Sequence, residues 1–163
     1  MKKVIIIRHA KSSWSDFGLS DFDRPLDKRG QHDAPNMASR LRKLGHIPDV
    51  IFSSDALRAK TTAGYFAKEF NVALKEIKKL YHGLPEEYLN IINSTSEEFG
   101  TVALFGHNPG ITIIANSIKK GCTDNVPTCG IIIAQCSLMP WGLMDWHNMD
   151  MIDLIYPKDH IDD

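Results

Sequence analysis

The chain has 163 residues, enough for one domain whose core needs no covalent staples. With 43% hydrophobic and 24% charged residues it has the composition of a globular protein, and a formal net charge of −1 argues against a general electrostatic footprint for nucleic acid or an anionic membrane. Three cysteines, Cys122, Cys129 and Cys136, form neither an even set nor a CxxC pair, which argues against a disulfide framework or a zinc site and for a reducing cytoplasm.

The first element is Val4-Ile5-Ile6-Ile7, a run of β-branched residues that predicts a strand buried on both faces. Arg8 and His9 follow it. A polar stretch from Ser12 to Leu26 predicts a loop long enough to be functional. Asp27 is the expected N-cap of a helix to about Leu44, with Met37, Leu41 and Leu44 on one stripe and Gly45 as terminator. Pro35 lies inside that pattern and either bends the helix or moves its start.

Val50-Ile51-Phe52 is a second strand, and Ser53-Ser54-Asp55 offers capping oxygens for a helix from Ala56 to Phe70. Val72 to Ile77 is a third strand, and Pro85 opens a helix to about Asn93. Thr101 to Phe105 is a fourth strand, followed by Gly106-His107-Asn108-Pro109-Gly110 and a helix over 111–118. Strands are expected at Gly130 to Leu138 and Met151 to Tyr156, with a turn over Trp141 to Asn148. Alternating strands and helices, closed by a hairpin-like pair, predict an α/β fold: a mainly parallel sheet with an antiparallel edge, in three α/β/α layers. No stretch is apolar for long enough to serve as a signal peptide or membrane span, and the chain is expected to be a single cytoplasmic domain over 1–163.

Three strand ends carry related chemistry: Arg8-His9, Ser53-Ser54 with Arg58 a turn later, and Gly106-His107-Asn108. In a parallel sheet these ends share one edge, so the residues can converge. Two guanidiniums and two imidazoles around one point call for an anion among them. Each residue also has an ordinary reading. Polar residues end many strands, an arginine on a surface helix is solvated, and a histidine after a strand can be structural. The other histidines, His32, His46, His147 and His160, sit in polar or turn contexts expected at the surface, and no pair has the spacing of a helical zinc site.

The ordered set Arg8-His9, Ser53-Ser54-x-x-x-Arg58-x-x-x-Thr62 and Gly106-His107-Asn108 resembles the histidine phosphatase superfamily, with its phosphoglycerate-mutase-like fold. Arg8-His9-Ala10-Lys11-Ser12, Asp23-Arg24-Pro25-Leu26 with Arg29-Gly30, and Gly106-His107-Asn108-Pro109-Gly110 are similar, more narrowly, to the short SixA-type phosphohistidine phosphatases. The resemblance implies that His9 is the nucleophile, that Arg8, Arg58 and His107 hold the phosphoryl oxygens, and that no cofactor or metal is needed. Lys11 and Asn108 are close enough in sequence to touch phosphate, with a solvated lysine and an Asn helix cap as their ordinary readings. The acid that larger relatives carry in an insertion has no clear counterpart. His82 and Glu86, in Leu80-Tyr81-His82-Gly83-Leu84-Pro85-Glu86, are the candidates. The expected substrate is a phosphorylated protein bearing phosphohistidine; a small phosphomonoester, or phosphate binding without turnover, are the alternatives. Oligomeric state has no signal in the sequence.

Overall fold

A computed structural model describes residues 1–157. Its six strands, β1 (Lys2–Arg8), β2 (Val50–Ser53), β3 (Leu74–Glu76), β4 (Thr101–Gly106), β5 (Ile131–Cys136) and β6 (Asp150–Ile155), form one sheet in the order β3-β2-β4-β1-β5-β6. Neighbours from β3 to β1 run parallel, and β5 and β6 complete the sheet antiparallel. The helices are α1 (Lys28–Lys43), α2 (Leu57–Phe70), α3 (Pro85–Asn93) and α4 (Gly110–Ile118).

Strand alternation divides the core. Ile5 and Ile7 face one side with Met37 and Leu41 of α1 and Phe66 of α2, whereas Val4 and Ile6 face the other with Tyr88 and Ile92 of α3 and Ile111 and Ile114 of α4. This is the expected three-layer α/β/α arrangement. Trp141, expected in a turn, is wholly buried and donates its indole N–H to Phe99 O at 2.9 Å, so that turn closes one end of the second core.

Pro35 does not move the start of α1. The Asp27 carboxylate accepts the Gly30 N–H at 2.8 Å and fixes the first turn. A Cβ on Gly30 would stand 2.2 Å from Lys11 O, so only glycine lets the helix start approach the end of β1 this closely. Two expectations are corrected. The third strand is shorter than Val72–Ile77, because Asn71, in the left-handed region at φ 54°, still belongs to the end of α2. The fifth strand ends at Cys136, ahead of the segment that turns at Pro140 into a 3-10 turn.

Candidate active site

The sheet register sets the site. Arg8 pairs with Gly106 across β1 and β4, and Ser53 pairs with Phe105 across β2 and β4. His9 N–H then donates to Gly106 O at 3.1 Å, and Ser54 N–H to Phe105 O at 2.9 Å. Residues 9, 54 and 107 therefore leave the sheet side by side, at the carboxyl edge where open α/β sheets bind ligands. The His9 and His107 rings lie 5.1 Å apart, centroid to centroid, and both residues are buried.

His9 Nδ1 is 2.8 Å from Ala10 O, a contact that requires Nδ1 to carry the proton and leaves the lone pair on Nε2. Arg58 Nε–H points at that lone pair from 3.4 Å. Thr62, one turn along α2, donates to Arg58 O at 2.7 Å and accepts the Ala10 N–H at 3.0 Å, tying the end of β1 to the first turn of α2. Arg58 is only 7% exposed, unlike an ordinary surface-helix arginine. Arg8 donates from Nη1 to Val126 O at 2.9 Å. Arg8, His9, Arg58 and His107 line one open cavity of about 240 Å³, with Lys11 and Asn108 on its wall.

Asn108 behaves as a cap. Its Oδ1 accepts from Thr112 N at 3.1 Å, and its Nδ2 donates to Asn125 Oδ1 and Val126 O, both at 3.1 Å. Of the serines expected to cap α2, Ser53 Oγ instead donates to Ser54 O, whereas Ser54 Oγ accepts the Ala56 N–H at 3.2 Å just ahead of the helix and also lies 2.8 Å from His107 Nε2. His82 does not line the cavity with His9, but it lies near enough to His107 to disfavour protonation of that ring. The turn at 80–83 sends Tyr81 toward the site and leaves His82 exposed in a neighbouring cavity that also contains Glu86.

Residues of the 12–26 loop and the 78–84 segment also reach the site, without a local sequence signal. Asp21 accepts from Arg58 twice, Nη1 to its backbone O at 2.6 Å and Nη2 to Oδ2 at 3.0 Å. Tyr81 donates to the same Oδ2 at 2.5 Å, and Arg24 donates to Oδ1 at 3.0 Å. Tyr88 holds the backbone that carries the second imidazole, its hydroxyl accepting the His107 backbone N–H at 3.2 Å. A Cβ on Gly106 would stand 1.8 Å from that hydroxyl, so the residue before His107 has to be glycine for this contact to form.

Burial is the main cause of the site's electrostatics. It pushes the His9 imidazole down to about 3, with His107, Arg58 and Arg8 adding repulsion and the Ala10 hydrogen bond opposing them. His107 is likewise pushed down to about 3, by burial and then by Arg58. The Tyr81 hydroxyl, with Arg24 and Arg58, holds the Asp21 carboxyl well below the usual carboxylate range. Both imidazoles are thus neutral at neutral pH in the ligand-free protein. An unfolded histidine gains its proton near ~6.5, so protons bind the unfolded chain first. The part of stability owed to these two groups should fall as pH drops from that value toward about 3 and level off below. Imidazole 15N shifts of His9 and His107 are expected to stay constant from pH 8 to pH 5; a His9 midpoint near 6 would contradict the electrostatics.

The family model of the histidine phosphatase superfamily (branch 1) matches residues 4–82, the segment from β1 through Arg58 to Tyr81-His82. An uncharacterized chloroplastic protein of Arabidopsis thaliana is 34% identical over 151 residues, which is 86% of this chain and 69% of that protein. The chain belongs to the histidine phosphatase superfamily. Among solved structures, SixA from Agrobacterium tumefaciens superimposes with a TM-score of 0.82 at 27% identity, covering 96% of this chain and 98% of that one. The protein histidine phosphatase SixA complexed with tungstate gives a TM-score of 0.78 at 21% identity, covering 97% and 99%. The fold is phosphoglycerate-mutase-like of the SixA type, and this member of the superfamily is a phosphatase, a hydrolase. No described helix is long and apolar enough to cross a membrane.

Proposed function

We propose that the enzyme removes phosphate from phosphohistidine of a protein, through a covalent phosphohistidine on its own His9. The observation that carries this reading is the state of His9: neutral, its Nδ1–H anchored on Ala10 O, its Nε2 lone pair aimed into a cavity with two arginines and a second imidazole. Such a nitrogen is a ready nucleophile for phosphorus. Arg8 Nε and His107 Nδ1 are among four buried side-chain polar atoms without a partner in the described residues. With Ser54 donating to His107 Nε2 the proton stays on Nδ1, so both unpartnered atoms are hydrogen-bond donors beside the cavity, in keeping with an anionic group there.

In the first step His9 Nε2 bonds to phosphorus as the bond to the substrate's ring nitrogen breaks. Arg8, Arg58 and His107 hold the equatorial oxygens, where charge spreads in the transition state. A substrate imidazole protonated on its distal nitrogen departs neutral. With a pKa near ~6.5 it needs no acid at the breaking bond, whereas an alkoxide does. This agrees with the position of the carboxylates. Asp21 is held ionised by three donors, and Glu86 stands with His82 in the neighbouring cavity. Water then attacks phosphorus, the P–Nε2 bond breaks, and the proton lost by water accompanies release of inorganic phosphate. No step calls for a metal, and a single cytoplasmic domain over 1–163 would carry the whole reaction.

The test compares phosphate release from a phosphohistidine-bearing protein and from phosphomonoesters under identical conditions. The expected result is a higher kcat/KM for phosphohistidine. A strong preference for small phosphomonoesters would overturn the substrate and keep the nucleophile. Phosphate binding without release from any of them would leave a binding module instead of an enzyme.

A further inference from the structure

The loop over the phosphate cavity carries a row of exposed apolar side chains that neither core uses. Trp14 is 64% exposed, Phe17 93% and Leu19 39%. Scattered exposed apolar residues are ordinary, but three within six residues beside an active site are a patch. The loop is held in place. Ser12 bridges to Leu26 across its base, and the Arg24 guanidinium stacks 3.2 Å from the Trp14 ring centroid. Asp16 accepts from Gly18 N at 2.9 Å, a tight turn at whose tip Phe17 stands out from the surface.

Trp14 is both a wall of the phosphate cavity and the first residue of this row, so the patch is continuous with the site. Leu84, 57% exposed, lines the neighbouring cavity with Tyr81, whose ring packs edge-on against Phe22 of the loop at 5.1 Å. The mouth is therefore cationic at its floor and apolar at its rim. A cavity of about 240 Å³ holds a phosphoryl group and the ring bearing it, and the backbone carrying that ring has to rest on the rim. A small sugar phosphate has little apolar surface to lay on Phe17 and Leu19, whereas an apolar protein surface would release water from both.

We propose that Trp14, Phe17 and Leu19 form the docking surface for a folded phosphohistidine-bearing protein, which seats an apolar patch on them while its phosphoryl group enters the cavity. This rests on the phosphohistidine phosphatase reading above. It also assigns a division of labour: the strand ends hold the phosphoryl group, and the loop selects the protein that brings it.

The test uses the full chain and the double variant Phe17→Ser, Leu19→Ser; neither side chain lines the cavity. A panel of folded histidine-containing domains is phosphorylated with phosphoramidate, and the domain hydrolysed fastest by the wild type is taken forward with free phosphohistidine as comparison. The expected result is a fall in kcat/KM of about tenfold or more on the domain, as for loss of two buried apolar contacts, with the value for free phosphohistidine unchanged. Equal falls on both substrates, or none on the domain, overturn the docking surface. A wild-type dimer that the double variant converts to monomer without changing either rate overturns it too, in favour of a self-association face. If the wild type hydrolyses neither substrate, the phosphohistidine reading itself fails, and the two failures are told apart.

Discussion

Replacing His9 with alanine is expected to abolish turnover, by at least about four orders of magnitude, as loss of a covalent nucleophile does. The reason lies in how few functions the ring shares with its surroundings. Its contacts are Nδ1 to Ala10 O, Nε2 to Arg58 Nε and ring packing on His107, so alanine leaves the sheet, Arg8 and His107 in position. Circular dichroism and thermal unfolding should show a folded protein, and orthophosphate should still bind. Rapid quenching with labelled substrate should trap an acid-labile phosphoenzyme in the wild type and none in the variant. Label on the His9→Ala protein with these chemical properties would place the nucleophile elsewhere and sink the mechanism.

The next largest effect is expected at Arg58. Its guanidinium joins both halves of the site: Nε faces His9 Nε2, while Nη1 and Nη2 bind Asp21 of the loop. Arg58→Ala removes one of the cations that stabilise charge on the transferring group, and kcat with a phosphomonoester should drop about 10²–10³-fold. Arg58→Lys keeps the charge but lacks the planar fork that can address His9 and Asp21 at once, and it should recover only part of that loss. The His9→Ala and Arg58→Ala effects should be strongly non-additive, since without a nucleophile there is no transition state left for Arg58 to stabilise. A kcat unchanged in Arg58→Ala, with only KM raised, would reduce Arg58 to a ground-state anchor.

The parts of the site legible in the sequence are those whose position follows from a strand end. Arg8-His9 and Gly106-His107 each directly follow an apolar run, and a parallel sheet brings such ends together whatever the intervening chain does. Arg58 was legible as a candidate but not as a buried residue, because its burial depends on Asp21, 37 positions away, folding over it. The Asp21–Tyr81 contact spans 60 residues and joins two segments with no periodicity. An aspartate in a polar loop looks the same whether it caps a turn or anchors an arginine. Serine before a helix signals a cap, and Ser54 does accept the Ala56 N–H; its second contact, to His107, is invisible locally because His107 lies 53 positions further along the chain. The same distance effect explains His82. Only the three-dimensional turn at 80–83 decides that Tyr81 reaches Asp21 while His82 stays exposed beside it.

One consequence of the pairing between β1 and β4 reaches beyond the fold. The 5.1 Å between the two imidazoles is close to the ~4.8 Å that hydrogen bonding sets between any adjacent strands. The backbone ladder therefore serves as the ruler of the phosphate clamp. Repacking the core around it should leave the gap between the rings nearly constant. A slip of one residue would instead send one of them to the opposite face. The clamp is all-or-none, and its substrate range can change through the loops without recalibrating its chemistry.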